Sequence, residues 1–223
     1  MPDLPAYINI HSHHAEPKHR YEILSLDAQE FNPAKAPSGF YTLGIHPWFI
    51  ERQDCQTALE KIVAAIDDPN LLGIGECGLD KTIDIDLTMQ LAVFNSQIEL
   101  AEKSGKPLII HCVRAYNALS QCKKNSRSAL PWIIHGFTGK PELARQLIRQ
   151  GFYLSFGTAL LHGKDYVCKV LAEMPVDKLF LETDAAEICI TDIYVAAAKV
   201  LGLDLETLQQ QLLSNFQRVF LHD

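Results

Sequence analysis

The sequence lacks the concentration of positive charge that proteins gripping long nucleic acids usually carry. Its 20 lysine and arginine residues are outnumbered by 27 aspartate and glutamate residues, and the formal net charge is −7. The basic residues are scattered, with only short pairs such as Lys123-Lys124. This balance argues against tight, metal-free binding of duplex DNA or of membrane surfaces. It does not exclude phosphate substrates, because bound divalent cations can supply the local positive charge.

Cysteine pairing motifs and long apolar runs are also missing. The six cysteines form no C-x-x-C pair and no zinc-ribbon spacing, and most lie in apolar segments where a free thiol packs as a small hydrophobe. No run reaches transmembrane length, and the N-terminus has no basic region followed by an apolar stretch. We therefore expect reduced cysteines, a cytoplasmic location and no membrane partner.

No linker-like tract, repeat or shift in composition divides the sequence. The hydrophobic fraction of 48% is enough for a sizeable core. The simplest interpretation is one domain over residues 1–223, and no feature indicates an obligate protein partner.

Short apolar runs alternate with helical patterns along most of the chain. Several runs are continuously apolar, which is typical of buried parallel strands. Helices are predicted over residues 54–67, 115–124 and 163–173, and after Asp86, Pro141, Thr191 and Asp204. The predicted strands cover residues 6–10, 22–26, 40–45, 71–75, 108–110, 132–134, 152–155 and 179–183.

Strand-helix alternation implies parallel βαβ units, and eight such strands indicate a closed barrel. The first third fits least well. About ten residues join the first two strands, and the thirteen-residue link to the third contains Pro33 and Pro37. The predicted fold is therefore α/β, a distorted TIM (β/α)₈ barrel with irregular or missing helices in the first third.

Two histidines spaced by one residue end the first predicted strand. Residues i and i+2 of an extended backbone project from the same face, so His11 and His13 direct both imidazoles to one point. That arrangement suits a metal ion. The alternative is a polar turn that happens to be rich in histidine.

Further histidines and acids follow other predicted strands. Each has an ordinary alternative: a core histidine, a helix cap, or a structural residue beside a proline turn. Their repetition at carboxyl strand ends, where barrel enzymes place their sites, instead indicates a metal-dependent hydrolytic centre. These residues are His46, Glu76, His111, His135 and Asp184.

Motifs around these residues resemble those of the TatD-like hydrolases, metal-dependent deoxyribonucleases of the amidohydrolase superfamily. The resemblance runs along nearly the whole chain. Its motifs are His11-Ser12-His13, Gly44-Ile45-His46-Pro47, Gly75-Glu76-Cys77-Gly78-Leu79-Asp80, Ile110-His111 before Arg114, His135-Gly136-Phe137-Thr138-Gly139 and Glu182-Thr183-Asp184.

The resemblance implies a site for two divalent metal cations. It assigns His11, His13 and Asp184 to one ion, His111 and His135 to the other, and Glu76 to a bridge between them. Imidazoles suit Zn or Ni, whereas carboxylates and phosphate chemistry also admit Mg or Mn.

The same resemblance implies roles in catalysis. Asp184 and Glu76 are the catalytic residues, and Asp184 orients the attacking water or accepts its proton. His46 and Arg114 are expected to contact the substrate phosphate. For Arg114 the alternative is a surface residue at a helix start.

Two departures from the family pattern bear on the substrate. Asn9 stands where relatives usually have an acid, which removes a charge but leaves a possible hydrogen bond to a ligand. The segment after Asp184 runs almost directly into a helix, so a loop bearing basic residues is missing.

Three functions remain open from the sequence. The first is hydrolysis of DNA or a small phosphodiester by a TatD-type deoxyribonuclease. The second is amidohydrolase-type hydrolysis of a small amide or lactone. The third is an inactive barrel that serves as a scaffold or binding protein.

Overall fold

The computed structural model describes residues 6–14, 21–126, 129–162 and 165–222. The chain forms two compact units. The first unit contains Met1–Leu24 and His135–Asp223, and the second contains Ser25–Ile134. The single domain expected over residues 1–223 stays a prediction.

Eight strands follow one another in the order of the chain, and every described register between them is parallel. All eight predicted strands are present. They are β1 (Ile8–Ser12), β2 (Tyr21–Asp27), β3 (Tyr41–Gly44), β4 (Leu71–Asp80), β5 (Leu108–Val113), β6 (Trp132–Ile134), β7 (Phe152–Phe156) and β8 (Leu179–Leu181).

Among the residues that the structure describes, seven α-helices occupy the gaps that follow β3 and later strands. Of the described residues, no helix combines the length and apolar character needed to cross a membrane. The helices are α1 (Cys55–Ala64), α2 (Leu87–Ser104), α3 (Tyr116–Asn125), α4 (Pro141–Arg149), α5 (Asp165–Glu173), α6 (Ile190–Leu201) and α7 (Leu205–Phe216), and a π-helical turn, Gln217–Leu221, follows.

The early part of the chain is irregular, as the short links and prolines predict. Between β2 and β3 the described helical structure is one 3₁₀ turn, Pro33–Lys35, and the Asn32 side chain accepts a hydrogen bond from the Ala34 N–H at its start. The link between β1 and β2 includes residues 15–20, which lie outside the described residues. Residues 163 and 164 of the predicted helix 163–173 also lie outside them.

In the first unit, α6 anchors β1 through a buried tyrosine. The Tyr194 hydroxyl accepts a hydrogen bond from the Ile8 N–H at 2.9 Å and donates one to the Ile8 carbonyl at 3.2 Å. Both backbone groups at the start of the strand are therefore satisfied away from water, which a buried strand end requires. This anchor fixes the strand that contains His11.

In the second unit, two buried glutamines of α2 hold the ends of strands. Gln97 bonds both the N–H and the carbonyl of Ile45, directly after β3. Gln90 does the same for Asp80, the last residue of β4. An amide side chain carries one acceptor and two donors, so it can replace a missing sheet partner. His46 directly follows the first of these anchored residues, Ile45.

Strand β4 runs five residues beyond its predicted end at Gly75. Gly75 and Gly78 have φ of +150° and +136°, values that glycine tolerates and other residues rarely adopt. The pairing of β4 with β5 shifts register between Ile74 and Cys77. The glycines therefore permit an irregular strand rather than ending it, and Glu76 lies within β4.

Candidate metal centre

Four predicted ligands converge in the first unit. The Nε2 atoms of His11 and His13 lie 3.6 and 3.4 Å from Oδ1 of Asp184. The ring centroids of His11 and His135 are 4.2 Å apart. Ligand atoms of His11, His135 and Asp184 all lie within 4.8 Å of one another. Residues from three distant parts of the sequence thus form one group, which we call the first ligand group.

Backbone bonds place Asp184 against the end of β1. The Asp184 N–H donates to the His11 carbonyl at 3.0 Å, and the Asp184 carbonyl accepts from the His13 N–H at 3.1 Å. Asp184 itself has φ of +55°, which turns its side chain out of the line of β8. The left-handed turn brings the carboxylate to both imidazoles.

Asn9 reinforces this junction although it lacks the charge of an acid. Its amide nitrogen donates to Thr183 Oγ1 at 2.9 Å and to Glu22 Oε1 at 3.2 Å. Its amide oxygen accepts from the Thr183 N–H at 3.1 Å. Asn9 therefore fixes the residue before Asp184 by two bonds, one of which needs a donor that an ionised acid does not have.

The carboxylate of Glu182 orients His135. Glu182 Oε1 accepts from the Gly136 N–H at 2.6 Å and lies 3.3 Å from His135 Nδ1. Because a carboxylate only accepts, Nδ1 is the protonated nitrogen, and Nε2 is the ring's ligand atom. The sequence motif contains Glu182 without indicating this role. Its complete burial directly after β8 is the feature that distinguishes this acid.

The pKa of Asp184 is held well below its ordinary value. Burial acts to raise it, but hydrogen bonds from His11 and His13, with the nearby charge of His135, outweigh burial. The carboxylate is therefore ionised at neutral pH, as a metal ligand must be.

A second ligand group lies in the second unit and consists of His46, Glu76 and His111. Glu76 Oε1 lies 3.0 Å from His46 Nε2 and 3.1 Å from His111 Nδ1. Ligand atoms of the three residues are within 4.8 Å of one another. One buried carboxylate thus faces two imidazoles.

The hydrogen-bond partners of each histidine in this group indicate which ring nitrogen carries the proton. The Trp48 N–H donates to His46 Nδ1 at 3.2 Å, so the neutral His46 ring carries its proton on Nε2 and donates it to Glu76. A protonated nitrogen suits contact with a substrate oxygen better than ligation of a metal. This geometry is compatible with the substrate-binding role expected for His46.

His111 is oriented by a second buried acid, Asp80. His111 Nε2 lies 3.1 Å from Asp80 Oδ2, which also accepts from Trp48 Nε1–H at 2.8 Å. Thr82 donates to Oδ1 from its N–H at 2.8 Å and its hydroxyl at 2.6 Å. With Nε2–H used by Asp80, Nδ1 of His111 is the atom that faces Glu76. Asp80 therefore selects the ligand atom of His111.

Burial and hydrogen bonding compete at Asp80. Burial raises its pKa, but the hydrogen bonds from Thr82, Trp48 and His111 bring the pKa down to about 2. Asp80 stays ionised near neutral pH and can accept the Nε2–H of His111. The sequence motif contains Asp80 without indicating this role.

Replacing Asp80 with asparagine is expected to weaken metal binding about 10- to 100-fold, the usual cost of losing a carboxylate that orients a ligating histidine. Asparagine keeps the shape of the side chain, but one carboxylate oxygen is replaced by an NH₂ group. The donors that faced that oxygen then lose their acceptor. Calorimetric titration of the protein with Mn²⁺ or Zn²⁺ measures the change.

Asp86→Asn is the matched control. It removes the same charge from an exposed residue that caps α2 in the same unit. Equal metal affinity for Asp80→Asn and Asp86→Asn would contradict the orienting role.

The donor chemistry of both groups fits divalent cations. Each group supplies imidazole nitrogen and carboxylate oxygen, the ligands that Zn, Ni and Mn accept in proteins. In the second group, His111 Nδ1 and Glu76 Oε1 face each other at 3.1 Å while His111 Nε2 is engaged by Asp80. Two electron-rich atoms at that distance need a proton or a cation between them. These observations support binding of a divalent metal.

The structure thus brings all six predicted metal ligands into one or other group. Four lie in the first group, including His135, which was assigned to the ion of His111, and Glu76 and His111 lie in the second group together with His46. Arg114 is exposed and follows β5 in a left-handed turn, with φ of +53°. Its predicted contact with substrate stays a prediction.

Parallel strands separated by helices, with histidines and acids at the strand ends, define a metal-binding (β/α)₈ barrel. The chain belongs to the family described as TatD related DNase, whose model matches residues 26–221.

Individual relatives agree with this assignment. The chain is 26% identical over 164 residues to the uncharacterized metal-dependent hydrolase YjjV of Escherichia coli, covering 72% of this chain and 61% of that protein. It is 28% identical over 183 residues to the 3′-5′ ssDNA/RNA exonuclease TatD of Edwardsiella piscicida, covering 76% and 67%. The matches span between 48 and 61% of the length of the first three curated relatives.

A solved structure confirms the fold. The crystal structure of YjjV, a TatD homologue from Escherichia coli K12, matches with a TM-score of 0.84 at 20% identity, over 97% of this chain and 98% of that one. The predicted distorted TIM barrel, with eight parallel strands and helices between them, is therefore confirmed.

Proposed function

We propose that this protein is a divalent-metal-dependent hydrolase of phosphodiester bonds, a deoxyribonuclease of TatD type that uses two cations. In this proposal Glu76 would hold both ions. His11, His13 and Asp184 would hold one ion, and His111 and His135 would hold the other.

The observation that carries the proposal is the pair of ligand groups. Each combines histidine nitrogens with one carboxylate, and each is supported by a further buried acid, Glu182 or Asp80, that fixes a histidine. A carboxylate that orients the ring through its other nitrogen is typical of histidines that ligate metals. Divalent cations held there would polarise phosphoryl oxygens, make a bound water more acidic and stabilise the attacking and leaving oxygens of the displacement.

The chain's own side chains contribute positioning and proton transfer. In hydrolysis, a water oxygen bonds to phosphorus, a P–O ester bond breaks, and the leaving oxygen gains a proton. Asp184 is ionised and lies between two imidazoles, so it can orient the water and accept its proton. The Nε2–H of His46, which lies 3.0 Å from Glu76 Oε1 in the structure, is the donor proposed to contact a phosphate oxygen, and Arg114 adds a permanent positive charge.

The surface chemistry favours a short substrate. The net charge is −7, and only residues 185–189 separate Asp184 from the start of α6. A long basic groove is not provided by this short loop. We propose DNA ends or small phosphodiesters as substrates. The exonuclease named for the Edwardsiella relative acts on ssDNA and RNA, which is compatible with this choice.

Removal and return of metal tests the function directly. Protein treated with a chelator is expected to lose hydrolysis of bis(p-nitrophenyl) phosphate and of a short single-stranded DNA. Adding Mg²⁺, Mn²⁺, Zn²⁺ or Ni²⁺ should restore it, with two ions bound per chain by elemental analysis. His135→Ala should not recover, whereas the exposed His222→Ala should.

The same assay separates the other functions. Cleavage of p-nitrophenyl acetate or a lactone, with no cleavage of either phosphodiester, would replace the proposal with amidohydrolase-type chemistry. Absence of bound metal and of all activity after each cation is added would favour a scaffold.

A further inference from the structure

Trp48 is an exposed aromatic residue that is nevertheless held in place. Its side chain is 48% exposed, although large aromatic rings usually bury most of their surface. The indole Nε1–H donates to Asp80 Oδ2 at 2.8 Å, and the backbone N–H donates to His46 Nδ1 at 3.2 Å. The residue is thus held through its ring nitrogen and through its backbone, while much of the ring surface meets solvent. A rigid exposed ring loses little conformational entropy on binding a ligand.

The ring stands beside the second ligand group. Its centroid is 5.1 Å from that of His46 and 5.9 Å from that of His111, with interplanar angles of 88° and 75°. Near-perpendicular contacts of this kind are a favoured arrangement of aromatic rings, and they leave Trp48 48% exposed. The histidines that border Trp48 are those assigned to the substrate phosphate and to a metal.

A surface cavity of about 430 Å³ adjoins the Trp48 side chain. It is within the size range of small-molecule sites. Its lining combines an aromatic ring, two isoleucines, two acids and one arginine: Trp48, Ile83, Ile85, Glu51, Asp84 and Arg52.

The charge of this lining favours a neutral polar ring as the ligand. Two acids against one arginine do not suit a second phosphate. Carboxylates can accept hydrogen bonds from ring N–H and amino groups, and the arginine can donate to ring carbonyls. The apolar surfaces of Trp48, Ile83 and Ile85 suit a flat heterocycle. A nucleobase has this combination of features, and aromatic side chains stack on bases of any sequence.

We propose that the cavity beside Trp48 binds the nucleobase adjacent to the scissile phosphodiester, with the indole ring as the stacking surface. This inference rests on the proposed function for the position of the phosphate. Base stacking at this cavity would explain how a protein with a net negative charge selects a nucleotide substrate.

Tryptophan fluorescence tests the cavity without any need for catalysis. The chain has two tryptophans, and Trp132 is buried, so Trp132→Phe leaves Trp48 as the reporter. In metal-loaded protein, thymidine 5′-monophosphate is expected to quench this emission with saturation, and deoxyribose 5-phosphate is not. Absence of quenching, or equal effects of the two ligands, would overturn the proposal. If Trp132→Phe does not fold, the difference in quenching between wild type and Trp48→Phe gives the same measurement.

Kinetics with paired substrates separate stacking from support of Asp80. The two substrates are a thymidine dinucleotide and its analogue with an abasic residue. Trp48→Leu is expected to lower the ratio of their kcat/KM values roughly 10- to 100-fold, as expected for loss of one base–aromatic stack. Trp48→Phe loses the N–H but keeps a ring, so it should retain most of the ratio.

An unchanged ratio in Trp48→Leu, or an equal fall in both variants, would mean that Trp48 acts only through Asp80 and would overturn the proposal. If wild type cleaves neither substrate, the proposed function fails, and the fluorescence result alone decides whether the cavity binds a base.

Discussion

Glu76→Gln is expected to lower metal-dependent phosphodiester hydrolysis by at least about 10³-fold, because the ligand that faces both His46 and His111 loses its charge. Loss of several kcal/mol of metal-supplied charge stabilisation corresponds to a factor of about that size. Glutamine keeps the volume of the buried side chain, so the fold should survive. Initial rates on bis(p-nitrophenyl) phosphate with excess Mn²⁺ measure the effect.

Elemental analysis of the same variant tests the bridge. If Glu76 holds both ions, Glu76→Gln should weaken binding of both. If it serves only the second ligand group, the ion held by His11, His13 and Asp184 should remain. Glu173→Gln provides the control, since Glu173 pairs with Arg145 on the surface and has no part in either group. Full activity in Glu76→Gln would show that the assignment of the metal ligands is wrong.

Much of the barrel could be predicted because the information is local. Apolar runs such as Trp132–Ile134 are short and uniformly buried, and the observed β6 has the predicted bounds. Caps at Asp54 and Asp86 begin α1 and α2 as predicted, since each carboxylate accepts N–H groups one turn ahead. The histidines follow strands in the sequence, so their common edge follows from parallel topology.

The orienting contacts could not be predicted, because they join residues far apart in sequence and depend on side-chain direction. Asp80 meets His111 across 31 positions and Trp48 across 32, and Glu182 meets His135 across 47. No local pattern encodes these pairs. The predicted end of β4 at Gly75 was wrong for a different reason. Glycine in a sequence usually indicates a break in a strand, whereas here the glycines allow β4 to approach the neighbouring strand β5 closely.

Gly78→Ala is expected to destabilise the protein severely. A Cβ at Gly78 would overlap the backbone carbonyl oxygen of His111, and backbone cannot move aside as a side chain can. The positive φ adds a cost of about 1–3 kcal/mol for a non-glycine residue, and overpacking adds about 1–3 kcal/mol. The free energy of unfolding should therefore fall by roughly 2–6 kcal/mol. Urea denaturation followed by circular dichroism measures it.

Gly105→Ala separates the two contributions to that loss. Gly105 has φ of +73° at the end of α2, and a Cβ there would meet nothing within 4 Å. Its substitution should cost only the conformational penalty, about 1–2 kcal/mol. A larger loss at Gly78, accompanied by weaker metal binding, would indicate that β4 approaches β5 closely because His111 and Glu76 must meet. Equal losses at both glycines would show that β4 can move away from β5 at little energetic cost. The close approach of the two strands would then not explain the geometry of the second ligand group.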